Sequence, residues 1–177
     1  MKITVITGSP HRKGTSALLA DEFIRGAKEA GHSVVRFDAA FEDIHPCRAC
    51  DYCITEAVGC VQKDALTSLM SQLVQTEMIV FVTPLYYFGM SAQMKTVIDR
   101  FYAVNTKIMG NKKTVLLATA EDDDCRVMKS LEMHYQTIID YLCWEHAGKV
   151  LATGCKKRKD IENTNFPQQA YLLGKSL

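Results

Sequence analysis

Short apolar runs, in which polar and apolar residues do not alternate, recur along this chain and limit how it can fold. The run at 78–82 (MIVFV) contains no polar side chain, and largely apolar, β-branched runs also occupy 2–7, 33–38, 114–119 and 149–153. A strand that is buried on both faces of a parallel sheet has this pattern, because neither face meets water. Between the runs, apolar residues recur three and four positions apart, as in a helix with one buried face. The alternation predicts an α/β fold with a doubly wound, five-stranded parallel sheet and helices on both faces.

Size and charge exclude several other classes of protein. The chain has 177 residues, of which 47% are apolar, and this is enough for one well-buried domain but too little for two ordinary ones. We therefore predict a single domain over 1–177, with a C-terminal tail at 156–177 that ends in a short helix. With 21 basic and 20 acidic residues the net charge is +1, so no general field attracts nucleic acid or an anionic membrane. The basic run at 156–159 (KKRK) is expected to be solvated.

The sequence also predicts a cytoplasmic protein without a membrane span. The apolar stretch at 3–6 is too short for the core of a secretory leader, so no leader is expected. No run approaches the roughly 18 apolar residues that indicate a transmembrane helix. In a reducing compartment the seven cysteines are expected to serve as thiols, metal ligands or redox groups and not as a disulfide framework.

The turn after the first strand, from Gly8 to Ser16, has the composition of a phosphate-binding loop. It runs from the carboxyl end of a strand into a helix, where backbone N–H groups and the helix dipole favour an anion. Its spacing excludes a G-x-G-x-x-G dinucleotide fingerprint and also a P-loop, which needs G-K-[ST]. An ordinary β-to-α turn capped by a hydroxyl group is the alternative. The candidate phosphate ligands are Ser9, His11, Arg12, Lys13, Gly14, Thr15 and Ser16.

The loop after the third strand offers an aromatic surface. A response-regulator receiver would need an aspartate at the end of this strand, but Thr83 and Pro84 stand there, which excludes that chemistry. The side chains that follow can face a flat ring, and a glycine lets the backbone approach it, although packing between helix and sheet is an equal alternative. The candidate residues are Pro84, Leu85, Tyr86, Tyr87, Phe88 and Gly89, with Thr119 and Ala120 after the fourth strand. The carboxylates at 121–124 are expected to cap the fourth helix.

Four cysteines stand close together in a predicted loop insertion at 44–61. Cys47, Cys50, Cys53 and Cys60 are spaced C-x2-C-x2-C-x6-C. Thiolates two residues apart can converge on one metal centre, and the first three resemble the start of a ferredoxin cluster loop. Structural zinc also uses four thiolates, although usually as two separated pairs. The spacing therefore leaves an iron–sulfur cluster, zinc and metal-free thiols as alternatives.

Taken together, these motifs resemble the flavodoxin-like NAD(P)H-dependent FMN reductases and, among them, the branch of iron–sulfur flavoproteins. The family pattern corresponds here to GSP at 8–10, GTS at 14–16, the cysteine segment, PLYYFGMS at 84–91 and KTVIDR at 95–100. The resemblance implies an FMN-binding domain in which Ser9, Arg12, Thr15 and Ser16 hold the FMN phosphate. It also implies that 84–89 line the isoalloxazine and that the four cysteines bind a [4Fe–4S] cluster.

The same resemblance implies an oxidoreductase that takes electrons from NAD(P)H and passes them, through FMN and, where the cysteines hold one, through a [4Fe–4S] cluster, to a small-molecule or protein acceptor. The flavin would supply the redox chemistry, so no catalytic side chain is nominated. The family also implies a homodimer or a higher homo-oligomer. A non-enzymatic electron carrier and a metal-binding interaction module on the same fold are the competing hypotheses. Carriers of this fold tend to be strongly acidic and to lack the cysteine segment, and the net charge of +1 argues against that class.

Overall fold

Parallel strands form the centre of the fold in a computed structural model that describes residues 1–56 and 59–177. Positions 57 and 58, inside the predicted cysteine loop, lie outside the described residues. The strands are β1 (Lys2–Thr7), β2 (Ser33–Asp38), β3 (Met78–Tyr86), β4 (Gly89–Met90), β5 (Lys113–Thr119) and β6 (Glu145–Ala152). The helices are α1 (Thr15–Glu29), α2 (Tyr52–Thr55), α3 (Ala65–Gln75), α4 (Ala92–Arg100), α5 (Asn105–Ile108), α6 (Lys129–Leu142), α7 (Arg158–Glu162) and α8 (Phe166–Lys175). None of the helices in this described part of the chain combines the length and the apolar character needed to cross a membrane.

The strand order is β2-β1-β3-β5-β6, and neighbours along this path are parallel. This is the order of a doubly wound, flavodoxin-like sheet, so the predicted fold class is confirmed. The short strand β4 was not predicted; it pairs antiparallel with the end of β3, where Tyr86 lies opposite Gly89. The structure also extends β6 back to Glu145, which pairs with Lys113 of β5. Pairing with a neighbour supplies backbone hydrogen bonds beyond the apolar run, and a hydrophobic pattern alone does not show this.

The sheet is covered on both faces, as the unbroken apolar runs predict. On β3, Met78, Val80 and Val82 belong to a core cluster that includes residues of α1 and α8. Ile79 and Phe81 point to the other face, where the cluster includes residues of α3, α4 and α6. All five side chains are fully buried. The central strand therefore anchors both cores, and its carboxyl end is held in a fixed position.

Helix α8 packs closely on α1 at two glycines. A Cβ atom added to Gly26 would lie 2.1 Å from the carbonyl oxygen of Tyr171. One added to Gly174 would lie 2.2 Å from the carbonyl oxygen of Phe23. Two helix backbones approach this closely only where no side chain separates them. The short helix predicted near the C-terminus is therefore longer than its pattern indicates and is docked on α1.

Candidate functional site

A cavity of about 710 Å³ opens at the carboxyl edge of the sheet. Its walls come from the segments that follow β1, β5 and β6 and from the last residues of β3. The chain leaves β1 and β3 toward opposite sides of the sheet, and such a switch point forms a crevice at the strand ends. The predicted site residues that line the cavity are Ser9, His11, Arg12, Lys13, Gly14, Thr15, Pro84, Leu85, Tyr86, Thr119 and Ala120. The fold thus brings the glycine-containing turn, part of the aromatic loop and the end of β5 to one place.

One end of the cavity has the features of an anion site. Helix α1 begins after Gly14, which has no side chain to cap the helix, and no acidic residue occupies the first turn. The N–H groups of that turn and the positive end of the helix dipole therefore remain available to an anion. The guanidinium carbon of Arg12 lies 3.8 Å from the centroid of the Phe41 ring, which holds this cation beside the turn. An uncapped helix N-terminus with adjacent cations fits a phosphate group.

The hydroxyl groups of the turn are partly engaged within the protein. Ser16 Oγ, which is buried, pairs with Thr119 Oγ1 at 2.9 Å. Thr15 Oγ1 donates to the same oxygen at 3.1 Å. These bonds connect the first turn of α1 to the end of β5. Thr15 and Thr119 line the cavity, whereas Ser16 is not among the described lining residues, so its predicted phosphate contact stays a prediction.

Three cations at the cavity were not predicted. Lys156, Lys157 and Arg158 line it from the segment after β6, although this run was expected to be solvated. Lys156 Nζ pairs with a carboxylate oxygen of Glu121 at 2.6 Å, and both side chains are well exposed. The sequence did contain a signal for this placement. The run follows the fifth parallel strand, and the carboxyl ends of parallel strands share one edge of the sheet.

The acidic turn after β5 caps the chain that leads into α6. Asp124 accepts a hydrogen bond from the backbone N–H of Arg126 at 2.9 Å and caps a short 3₁₀ helix at Cys125–Met128. Asp122 accepts from the N–H of Asp124, also at 2.9 Å. Of these carboxylates, Glu121 alone is among the described residues that line the cavity. The predicted cap of the fourth helix is therefore wrong in detail: Asp124 caps the 3₁₀ helix that leads into α6, and α6 itself, whose N-cap residue is Met128, has no side-chain cap.

The aromatic loop forms a tight hairpin. Tyr87 and Phe88 connect β3 to β4 with φ angles of 46° and 62°, and a two-residue type I′ turn requires such positive values. Ser130 Oγ donates to the Phe88 carbonyl oxygen. Tyr87 is fully exposed and Phe88 is 57% exposed. Tyr87, Phe88 and Gly89 are not among the described residues that line the large cavity. The part of the aromatic loop that lines this cavity is Pro84 to Tyr86.

Replacing Tyr87 and Phe88 by asparagine and glycine is expected to stabilise the isolated protomer by about 1–2 kcal/mol, because residues with large side chains are strained at positive φ. Urea unfolding measures the change, and Met133→Asn is a control at an exposed apolar position outside the turn. No gain in stability would mean that the two rings make contacts that offset the backbone strain.

The four cysteines line a second, small cavity of about 20 Å³. Such a volume has room for about one water molecule. Cys47 and Cys50 are exposed, whereas Cys53 and Cys60 are partly buried. Burial raises the pKa of the Cys53 thiol, and negative charge on the other three sulfurs adds to the increase. Within residues 1–56 and 59–177, no three Cys, His, Asp or Glu side chains converge closely enough to hold a metal ion.

A buried ion pair holds the two ends of the cysteine loop. The side chains of Arg100, at the end of α4, and Asp64, just before α3, are 1% and 4% exposed. Arg100 Nη1 donates to Asp64 Oδ2 and to the carbonyl oxygen of His45, both at 2.8 Å. Arg100 Nη2 donates to Asp64 Oδ1 at 3.2 Å and to the carbonyl oxygen of Gln62 at 3.5 Å. One guanidinium group thus fastens the chain on both sides of the cysteines.

The fold and the large cavity define a class of protein. A doubly wound, flavodoxin-like sheet with an anion-binding turn and an apolar wall at its switch point is the architecture of a domain that binds a phosphorylated cofactor carrying a ring. Residues 1–141 match the family model described as NADPH-dependent FMN reductase, and the chain belongs to this family. The resemblance predicted from the motifs is therefore confirmed.

Curated relatives agree with this family, and a solved structure shares the fold. The chain is 30% identical over 125 residues to an iron–sulfur flavoprotein of Methanocaldococcus jannaschii, an alignment that covers 69% of this chain and 63% of that protein. It is 38% identical over 102 residues to an iron–sulfur flavoprotein of Archaeoglobus fulgidus, which covers 58% of this chain and 51% of that protein. The chain thus spans less than two thirds of either relative. An NAD(P)H:quinone oxidoreductase from Methanothermobacter marburgensis shares the fold, with a TM-score of 0.79 and 16% identity over 99% of this chain and 95% of that one.

Proposed function

We propose that this protein is an FMN-dependent NAD(P)H oxidoreductase that binds FMN in the large cavity. The observation that carries the proposal is that one cavity joins an uncapped helix N-terminus to the wall formed by Pro84, Leu85 and Tyr86. Family membership supports the same cofactor. The volume of about 710 Å³ also lies within the range of roughly 300–1,000 Å³ that is usual for ligand pockets.

The chain's own residues would bind and orient the cofactor. The N–H groups at the start of α1, together with Arg12 and Lys13, would hold the phosphate, and Pro84 to Tyr86 would lie along the ring. Lys157 and Arg158 add positive charge to the same cavity, which favours the approach of an anionic nicotinamide dinucleotide. When bound, FMN supplies the hydride and single-electron chemistry of such an enzyme.

We expect Arg12→Ala and Lys13→Ala each to weaken FMN binding by about 10- to 100-fold, since a hydrogen bond to a charged group contributes about 1.5–3 kcal/mol. Titration of the flavin-free protein with FMN, followed by flavin fluorescence, measures the dissociation constant. Lys28→Ala is the matched control, because Lys28 is an exposed cation in the last turn of the same helix and does not line the described cavity. Unchanged affinity in both cavity variants would contradict the assignment of the phosphate site.

We further propose that the four cysteines bind a [4Fe–4S] cluster. Four cysteines around one small cavity supply the donor set that such a cluster takes, and the two curated relatives described above carry the name iron–sulfur flavoprotein. Because the cavity has room for about one water molecule, the loop would have to open to admit the cluster. Cys47 and Cys50 are exposed, so this opening would not disrupt the hydrophobic cores.

Absorption spectroscopy with iron and sulfide analysis tests both proposals on protein purified without oxygen. We expect flavin bands together with about four iron atoms per chain, and direct reduction of the flavin by NADH or NADPH. Flavin without iron would reject the cluster and retain the reductase, and zinc in place of iron would indicate a structural metal. Flavin that neither nucleotide reduces would favour an electron carrier. Failure to bind added FMN would overturn the central proposal.

We also propose a homo-oligomer, with a homodimer as the simplest case, and a small-molecule or protein electron acceptor in the cytoplasm. Exposed apolar side chains support the oligomer: Tyr87 and Phe88 in the hairpin, and Met133 and Tyr141 on α6. The hairpin contacts α6 through Ser130, so these side chains belong to neighbouring elements. Apolar groups exposed in this way favour burial against a second copy. Light scattering at micromolar concentration measures the state, and a monomer would contradict this proposal.

A further inference from the structure

Arg100 carries one hydrogen-bond donor that the fold leaves unused. Its two terminal nitrogens donate to Asp64 and to the carbonyl oxygens of His45 and Gln62. Its Nε atom is buried and has no hydrogen-bond partner among the described residues. Buried donors are almost always paired, and leaving one unpaired is unfavourable. The Nε–H group therefore has no acceptor in the arrangement of the described residues.

The surroundings of Arg100 show where an acceptor would lie. Arg100 lines the small cavity together with Cys47, Cys50, Cys53 and Cys60. Burial alone would lower the pKa of Arg100, but the hydrogen bonds to Asp64 and the negative charge of the nearby Cys60 sulfur raise it. A direct side-chain interaction with the Cys60 sulfur adds to this increase, although the four hydrogen bonds of normal length made by Arg100 go to Asp64, His45 and Gln62. The unused donor thus belongs to a permanent cation that lies beside a sulfur ligand of the proposed cluster.

We propose that Arg100 is a positioning residue for the iron–sulfur cluster, whose Nε–H donates a hydrogen bond to the cluster-bound Cys60 sulfur and stabilises the reduced cluster. This inference rests on the proposed cluster. One-electron reduction would add one negative charge to the cluster without making or breaking a bond, with the electron supplied by dithionite in a titration or by the reduced flavin in the enzyme. A hydrogen bond to a ligating sulfur and a neighbouring positive charge both favour the more negative state, so they raise the reduction potential.

Redox titration of the anaerobically purified holoprotein and of Arg100→Lys tests the inference. Lysine keeps the charge and can still pair with Asp64, but it has no Nε–H in a fixed planar fork. We expect the equilibrium constant for cluster reduction to fall at least tenfold, which is a shift of about 59 mV to lower potential for a one-electron couple. Arg48→Lys is the matched control, because Arg48 lines the same cavity but is exposed. The reduction potential of the cluster in Arg48→Lys is expected to equal that in the wild type. An unchanged potential in Arg100→Lys would overturn the inference.

A second measurement needs no Arg100 variant and remains decisive if Arg100→Lys does not fold. The protein is produced in cells grown with ¹⁵N-arginine and is then reduced. Pulsed electron paramagnetic resonance of this sample is expected to show hyperfine coupling between the cluster and one arginine nitrogen. The coupling should persist in labelled Arg48→Lys. Its absence from an iron-loaded sample, or its loss in Arg48→Lys, would overturn the role of Arg100 while leaving the proposed cluster intact. A protein without iron or sulfide would overturn the cluster and this inference together.

Discussion

Replacing Arg100 with methionine is expected to destabilise the protein by about 3–5 kcal/mol, because removing one partner leaves a buried charge without compensation. The Asp64 carboxylate, whose side chain is 4% exposed, would lose both hydrogen bonds that it receives from the guanidinium. The carbonyl oxygens of His45 and Gln62 would lose their partner as well. Urea unfolding measures the effect as a change in the urea concentration at the midpoint, while the dependence of the unfolding free energy on urea concentration stays constant.

Two further variants separate charge burial from loss of packing. In Asp64→Asn/Arg100→Met no buried charge remains unpaired, so this double variant is expected to recover much of the loss. Lys95→Met breaks the exposed Lys95–Asp99 pair on the same helix, and an exposed pair of this spacing contributes about 0.3–0.5 kcal/mol. A loss in Arg100→Met no larger than that in Lys95→Met would show that the buried pair is unimportant for stability.

The same ion pair predicts a defined dependence of stability on pH. Burial alone would raise the pKa of Asp64, but hydrogen bonds from Arg100 and from the backbone N–H groups of His45 and Leu66 lower it below its ordinary value. A carboxyl group whose pKa is lowered in the folded state contributes its full stabilisation of the folded protein at pH values above its pKa in the unfolded chain, about 4. This stabilisation is lost as the pH falls through the pKa of the folded state. The stability difference between wild type and Asp64→Asn should therefore be constant from pH 7 to about 5 and shrink below about 4. A constant difference down to pH 3 would contradict this assignment.

Gly26→Ala is expected to destabilise the protein by about 1–3 kcal/mol, the usual effect of forcing an extra group into a packed interface. Helix propensity alone predicts the opposite, because alanine is favoured over glycine by about 1 kcal/mol inside a helix. The added Cβ would lie 2.1 Å from the carbonyl oxygen of Tyr171 and 2.9 Å from the backbone nitrogen of Lys175. Both are backbone atoms of α8, so relief requires the whole helix to move away.

Thermal unfolding and amide hydrogen exchange measure this effect, and faster exchange is expected in α8 than in β3. Lys28→Ala is the control, because it changes an exposed position in the last turn of α1. A Gly26→Ala protein that is more stable than the wild type would mean that α8 is not docked on α1 as described. Gly174→Ala is expected to behave in the same way, since its added Cβ would lie 2.2 Å from the carbonyl oxygen of Phe23.

The cavity cations and the buried ion pair show where sequence reasoning stopped. Lys156 to Arg158 have the composition of a solvated basic run, and they reach the cavity because they follow β6, whose carboxyl end lies at the same edge of the sheet as those of β1 and β5. Arg100 and Asp64 are 36 positions apart, and each stands at a helix end where a charge is usually exposed. Their burial depends on how α3 and α4 pack on the same face of the sheet, which no local pattern records.

The sequence by itself determined the doubly wound sheet and the two loops that form most of the large cavity. Strands buried on both faces need unbroken apolar runs, and a turn that receives an anion needs glycine and donors at set positions, so both features are local. The tertiary structure decided the rest: the outward placement of Tyr87 and Phe88, the docking of α8 on α1 through glycines, and the closure of the cysteine loop by Arg100. Each of these depends on contacts between residues distant in the chain, whose geometry exists only after the elements have packed.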